Sequence, residues 1–163
     1  MPEVATMPRL DSQVCFAVYS TLHAINKIYA PLLDELGLTY PQYLAMLVLW
    51  ETDGVTVKTL GERLHLDSGT LTPLLKRLEA QGRVHRARDP KDERHVRVSL
   101  TEAGHELRRR ATEVPGLVAR AMGRSADDLK SLRKELRKVR TALLESGHPS
   151  GTQPARQRKA AGR

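Results

Sequence analysis

The chain has 163 residues, 40% hydrophobic and 28% charged, which is enough apolar material for one domain with a buried core. No apolar run reaches the ~18 residues of a bilayer span, "MPEVATMPRLD" lacks the basic and apolar regions of a secretion signal, and a lone cysteine closes no internal disulfide, so a cytoplasmic protein with no membrane partner is expected. The net charge of +8 divides equally between segment 147–163 and the remainder of the chain, and a basic excess outside the tail is consistent with a polyanionic partner, nucleic acid first, though charge alone does not exclude a merely solvated basic surface.

Residues 1–9 read as a tail. Over 10–36, Leu10, Val14, Val18, Leu22, Ile25, Ile28, Leu32 and Leu36 recur at three- and four-residue steps, which predicts a long amphipathic helix that Pro31 kinks or interrupts in its last third. In "GLTYPQ", Thr39 is placed to cap a second helix with Pro41 in its first turn. That helix, 41–53, is apolar enough to form the centre of the core, and Gly54 ends it. Thr56 opens a third helix, and Asp67 or Ser68 caps a fourth that Gly82 terminates. Two short helices joined by a few residues fit a helix-turn-helix.

"RVHRARDPKDERHVRVSL" follows, with Val84, Val96 and Val98 in alternating stretches on either side of "DPKDER". It predicts a β-hairpin with a charged tip. Thr101 and Glu102 begin a fifth helix, disturbed at Pro115 and Gly116. Ser125 caps a sixth, with Asp127 and Asp128 in its first turn and Leu129, Leu132, Leu136, Val139 and Leu143 as its apolar stripe. After Gly147 the composition of 147–163 predicts a basic disordered tail. The expected fold class is mainly α with a small β-hairpin wing.

Leu71, Leu74, Leu75 and Leu78 define the buried face of the fourth helix. Its other face offers Ser68, Thr70, Thr72, Lys76 and Arg77, the hydroxyls and cations that bond phosphates and base edges. Gly69 permits a close backbone approach. The hairpin adds Arg86, Arg88, Lys91 and Arg94, with Arg97 beside them. An arginine on a protruding hairpin suits a minor groove, where negative potential concentrates. Asp89 and Asp92 are expected to fold the turn and orient Arg94. Taken singly, each of these pieces reads better as a solvated polar face, but together and in order on a basic chain they point to double-stranded DNA.

"LGERLHLDSGTLTPLLKRLEAQGRVHRARDPKDERHVRVSLTEAGHEL" closely resembles the winged helix of MarR-family transcription regulators, most specifically in "DPKDER…VSLTEAG". The resemblance covers 10–146. It implies a homodimer whose interface is built from 10–36 and 102–146, with 41–100 as the winged helix-turn-helix and each half reading half of a pseudo-palindromic operator.

Cys15 raises its own question. On a straight helix at about 100° per residue, Tyr19 and Tyr29 fall within about 40° of Cys15, yet Tyr29 lies about 21 Å along the axis. The two meet only if this helix packs antiparallel on its copy, crossing near Leu22. Phenol hydroxyls there would favour a thiolate, and a thiolate in an apolar pocket would attack an organic peroxide to give a sulfenic acid. Free cysteines are also often buried and inert, and spacing does not decide between the two. Within the MarR family, "VCFAVY" with Tyr29 and Tyr40 resembles the OhrR group, the organic-hydroperoxide-sensing repressors. The resemblance implies Cys15 as the redox-sensing residue and Tyr19, Tyr29 and Tyr40 as its hydrogen-bonding partners. With no second cysteine, it implies the one-cysteine type, in which a small cellular thiol caps the oxidised sulfur.

No cofactor is expected. The six histidines show no tight ligand spacing, so no metal site is assigned. A thiol peroxidase would leave the winged helix unexplained, and no thioredoxin-like pattern is present, so an enzyme is not expected. The alternative kept open is a MarR-type repressor that answers a non-covalent ligand in the interhelical cleft, with Cys15 structural.

Overall fold

The computed structural model describes residues 9–146. A 3-10 turn at Leu10–Ser12 leads into α1 (Val14–Asp34), which starts four residues later than the periodicity predicts. Pro31 does not interrupt α1. Its missing N–H frees only the Lys27 carbonyl, and both residues are exposed, so solvent takes that bond. Gly37, at φ +67°, turns the chain after α1.

Short polar side chains set the later helix starts. Thr39 accepts the Gln42 N–H while Gln42 Oε1 accepts the Thr39 N–H, a reciprocal cap that opens α2 (Tyr40–Glu51). Thr56 accepts from Thr59 to open α3 (Val57–Leu64), and Asp67 accepts from Thr70 to open α4 (Ser68–Ala80). Each cap satisfies a donor that a first helical turn leaves unpaired. The turn between α3 and α4 is tight. His65 takes φ 55°, and a Cβ on Gly61 would come within 2.8 Å of the Leu66 carbonyl.

The hairpin is β2 (Val84–Asp89) and β3 (Asp92–Leu100), in register from Val84↔Leu100 to Arg88↔Val96, with an irregularity between Arg88 and Asp89. The sheet has a third strand that alternation did not reveal. β1 (Val55–Thr56) pairs antiparallel with β3 at Val55↔Val98 and Thr56↔Arg97, giving the order β1-β3-β2. After β3 the Thr101 hydroxyl caps α5 (Glu102–Ala111). The disturbance expected at Pro115 and Gly116 is a new helix, α6 (Val114–Ala121), with Pro115 in its first turn, where no N–H is needed.

α2 is buried on nearly every side, with Tyr43, Ala45, Met46 and Leu49 almost inaccessible. Around it pack Leu60 of α3, Leu71, Leu75 and Leu78 of α4, Val98 of β3 and Leu107 of α5. Full burial of each such side chain contributes roughly 1.5–3 kcal/mol. The winged region is thus anchored to the same core that carries α1.

The chain separates into two compact units, one up to Met122 and one from Gly123 on. In the second, Ser125 and Asp128 form a reciprocal cap for α7 (Ala126–Glu145), whose apolar stripe Leu132, Leu136, Val139 and Leu143 is exposed. The span 102–146 thus holds three helices rather than two. The tails expected at 1–9 and 147–163 fall outside the described residues, except Arg9.

Candidate nucleic-acid interface and thiol site

α4 turns Leu71, Leu74, Leu75 and Leu78 inward as its periodicity predicts. Ser68, Gly69, Thr70, Lys76 and Arg77 are exposed and Thr72 is half-buried. The Thr70 hydroxyl is already engaged, donating to Asp67 Oδ2 at 3.0 Å while its N–H donates to Oδ1 at 2.9 Å. These bonds hold the Asp67 carboxyl below the usual carboxylate range. A Cβ on Gly69 would come 3.0 Å from Asp67 Oδ1, so this glycine also makes room for the helix cap.

The wing is built on two carboxylates with separate tasks. Asp89 is only 6% exposed. Its Oδ1 accepts the Lys91 N–H at 2.9 Å and its Oδ2 accepts Arg97 Nε at 2.6 Å. The Lys91 N–H first, then Arg97, hold its carboxyl low. Arg97 also donates from Nη1 to the Gly54 carbonyl at 2.6 Å, which fastens the wing to the turn before β1. Asp92 accepts from the backbone N–H, Nε and Nη2 of Arg94, and Arg94 is the first cause of its lowered carboxyl. Orientation of Arg94 therefore belongs to Asp92 alone, and Asp89 serves Arg97.

Arg88 donates from Nη1 to the Glu93 carbonyl at 2.7 Å and remains exposed, as does Lys91. Arg86 is engaged within the chain. Its backbone N–H and Nε each reach Glu79 at 2.9 Å, and its Nη2 lies 2.7 Å from Glu79 Oε2. The half-buried pair ties α4 to β2, so Arg86 is not a free cation. Its side-chain bonds, first, hold Glu79 low. Periodicity gave no signal of this partnership, because the two residues lie on different elements.

The candidate thiol-site residues fall into two groups within one chain. Cys15 is an exposed free thiol in the first turn of α1. Tyr19, 60% exposed, packs its ring on His23 at 4.4 Å between centroids. Tyr29 and Tyr40, by contrast, come together at 4.7 Å, and Tyr43 joins them at 5.8 Å from Tyr29. Burial, then the neighbouring phenols of Tyr40 and Tyr43, push the Tyr29 hydroxyl up to about 12. Burial likewise raises Tyr40 and Tyr43. These phenols stay neutral and able to donate near neutral pH. Tyr43, three residues after Tyr40 and on the same side of α2, backs this pair from the core.

Among the described residues no cluster of His, Cys, Asp and Glu is arranged to hold a metal, and no helix is long and apolar enough to cross a membrane.

A helix-turn-helix whose second helix carries an exposed polar face, followed by a braced hairpin, is a winged-helix DNA-binding architecture. The comparisons agree. The family described as "Transcriptional regulator SarA/Rot" matches residues 27–110. The organic hydroperoxide resistance transcriptional regulator of Bacillus subtilis is 49% identical over 140 residues, covering 86% of this chain and 92% of that protein. The HTH-type transcriptional regulator TtmR of Methylorubrum extorquens is 52% identical over 134 residues, 82% of this chain and 69% of its own. Reduced AbfR bound to DNA superposes with a TM-score of 0.71 at 34% identity, over 83% of this chain and 95% of that one. AbfR, from Staphylococcus epidermidis, has also been solved overoxidised on DNA and in a disulfide form. This chain belongs to the MarR-type winged-helix transcription regulators, in the group of the organic hydroperoxide resistance regulators.

Proposed function

We propose that this protein is a thiol-based repressor that binds operator DNA as a homodimer and is released when an organic hydroperoxide oxidises Cys15. The observation that carries the reading is the placement of the single thiol. Cys15 stands exposed on α1 between the exposed apolar residues Val14 and Val18, while the donor phenols Tyr29 and Tyr40 are gathered further along the chain. A second copy of α1, antiparallel and crossing near Leu22, would bring Tyr29 of one protomer beside Cys15 of the other and close an apolar pocket around it. The 49% identity to a regulator named for organic hydroperoxide resistance supports the same reading.

In that pocket the phenols donate to the thiolate and favour it. The thiolate attacks the distal peroxide oxygen. An S–O bond forms as the O–O bond breaks, and the alkoxide takes a proton and leaves as the alcohol. A small cellular thiol then attacks the sulfenic sulfur, forming a mixed disulfide and releasing water. The added bulk no longer fits between the helices, and the two winged regions move out of register with the grooves.

On DNA, α4 would enter the major groove with Ser68, Gly69, Thr70, Thr72, Lys76 and Arg77, and the wing would present Arg88, Lys91 and Arg94 to the minor groove. Arg86 acts indirectly, through Glu79. The protein works stoichiometrically, as a sensor rather than an enzyme, in the cytoplasm where its operator lies.

The test is operator binding by fluorescence anisotropy at fixed salt, on a duplex selected by the reduced protein. Cumene hydroperoxide with a small thiol should weaken wild-type binding by about 5- to 150-fold, the usual range of coupling between sites, and leave Cys15→Ser bound. Equal release of both proteins would overturn the mechanism in favour of a non-covalent ligand. Many turnovers of peroxide per protein would make it an enzyme.

A further inference from the structure

We infer that Tyr43 and Trp50 are positioning residues that carry the state of the thiol site to the joint between the recognition helix and the wing. The inference rests on the thiol-sensing function proposed above.

A continuous chain of contacts runs along α2. Tyr29 lies 5.8 Å from Tyr43, and Tyr43 meets Trp50 edge-on at 6.2 Å. Trp50 lies seven positions after Tyr43, so both lie on one side of the helix, two turns apart. Tyr43 is almost fully buried and cannot swing into solvent. Trp50 then leaves α2 altogether: its Nε1 donates to the Gly104 carbonyl of α5 at 2.9 Å, a buried bond. A buried indole N–H does not readily give up its acceptor.

Gly104 is where the chain of contacts reaches the DNA-binding elements. A Cβ built there would lie 2.2 Å from the Arg83 carbonyl and 3.1 Å from Leu100. Arg83 stands between Gly82, which ends α4, and Val84, which begins β2. Its carbonyl also accepts the Thr101 N–H at 3.1 Å, and the Thr101 hydroxyl donates to the adjoining Gly82 carbonyl at 2.6 Å. The start of α5 is thus clamped on one side by Trp50 and on the other by the link between recognition helix and wing. Close-packed groups of this kind switch between discrete arrangements instead of absorbing a displacement. When an altered sulfur displaces Tyr29, Tyr43 loses one of its ring partners, Trp50 shifts with it, and the Gly104–Arg83 contact moves.

The experiment uses the full-length protein and its operator duplex. Wild type, Trp50→Phe, Tyr43→Leu and Tyr43→Phe are each measured reduced and after cumene hydroperoxide with a small thiol, with Cys15 modification read by intact mass. Trp50→Phe and Tyr43→Leu should reach full Cys15 modification and bind DNA when reduced within about twofold of wild type. Their oxidised forms should stay on DNA, with the oxidised-to-reduced ratio of Kd falling below about fivefold. Tyr43→Phe, which keeps the ring, should keep the wild-type ratio. A wild-type ratio in Trp50→Phe would overturn the inference.

A second readout needs no core substitution. Trp50 is the sole tryptophan, so its emission should change when DNA-free wild type is oxidised and stay constant in Cys15→Ser. Constant emission at full Cys15 modification would overturn the inference even if DNA is released. Wild type that stays on DNA at full modification would overturn the sensing function itself.

Discussion

Asp92 holds Arg94 by three hydrogen bonds, to its backbone N–H at 3.1 Å, Nε at 3.0 Å and Nη2 at 3.2 Å, while the Arg94 side chain stays 89% exposed. An exposed guanidinium held on a rigid turn is oriented before any ligand arrives, so less side-chain entropy is lost on binding. Arg94→Ala should weaken operator binding about tenfold and reduce the salt slope by about 1 per protomer, as for a single groove-reading arginine. Asp92→Ala keeps the cation and loses its aim. It should weaken binding less and leave the salt slope unchanged. Unaltered affinity in Arg94→Ala, in an anisotropy titration across salt, would remove Arg94 from the interface.

Gly104 tests how tightly α5 is seated. Within a helix, alanine is favoured over glycine by roughly 1 kcal/mol. Here the added methyl meets backbone, the Arg83 carbonyl at 2.2 Å, which cannot rotate away. The clash decides the sign, and Gly104→Ala should destabilise the fold by about 1–3 kcal/mol, the usual cost of overpacking. Denaturant unfolding followed by circular dichroism measures this. A stabilised variant would mean that the α5 start is free to shift.

Local chemistry explains what the sequence made legible. Thr39, Asp67, Thr101 and Ser125 act on a backbone N–H three residues away, so a short window contains the whole interaction. The Leu71–Leu78 face is visible for the same reason. What escaped notice spans the chain. Val55–Thr56 is a strand only because Val98 and Arg97 pair with it, and Trp50 finds its acceptor 54 residues on. Arg86 looks like a free cation until Glu79 is placed beside it. At the candidate thiol site, the family resemblance assigns Tyr19, Tyr29 and Tyr40 to Cys15, but the ring contact between Tyr29 and Tyr40 joins two helices and has no signature in a short window. Cys15 and Tyr29 lie on one uninterrupted α1, 14 positions apart, or about 21 Å at the helical rise.

The wing should carry a defined acid sensitivity. The Lys91 N–H and Arg97 hold the Asp89 carboxyl below its ordinary range, and Arg86 does the same for Glu79. A group whose folded pKa is depressed binds more protons when unfolded, so its contribution is complete above the ordinary value of about 4 and is lost as pH falls through the folded value. These two groups should leave the melting temperature unchanged between pH 7 and 5 and lower it below about pH 4. Asp89→Asn should melt lower at pH 7 and show a shallower acid decline. Thermal melts followed by circular dichroism would show this, and an acid decline parallel to wild type would exclude Asp89 as a contributor.

The apolar stripe of α7 tests the proposed dimer. Leu136 and Val139 are 47% and 51% exposed, so a partner that covered what remains would add roughly half of the 1.5–3 kcal/mol that full burial of such a side chain contributes, from each residue of each protomer. Exposed rows of this kind mark interaction surfaces. Leu136→Lys with Val139→Lys should therefore raise the dimer Kd by about a hundredfold or more, giving a monomer at micromolar concentration in sedimentation equilibrium. The helix itself should persist, because lysine is a good helix former and its Ser125–Asp128 cap is untouched. Operator binding should fall with dimer content, since one winged region reads only half of the site. A dimer of unchanged strength would place the interface elsewhere, leaving the α1 residues Val14, Val18 and Leu22 as the next surface to substitute.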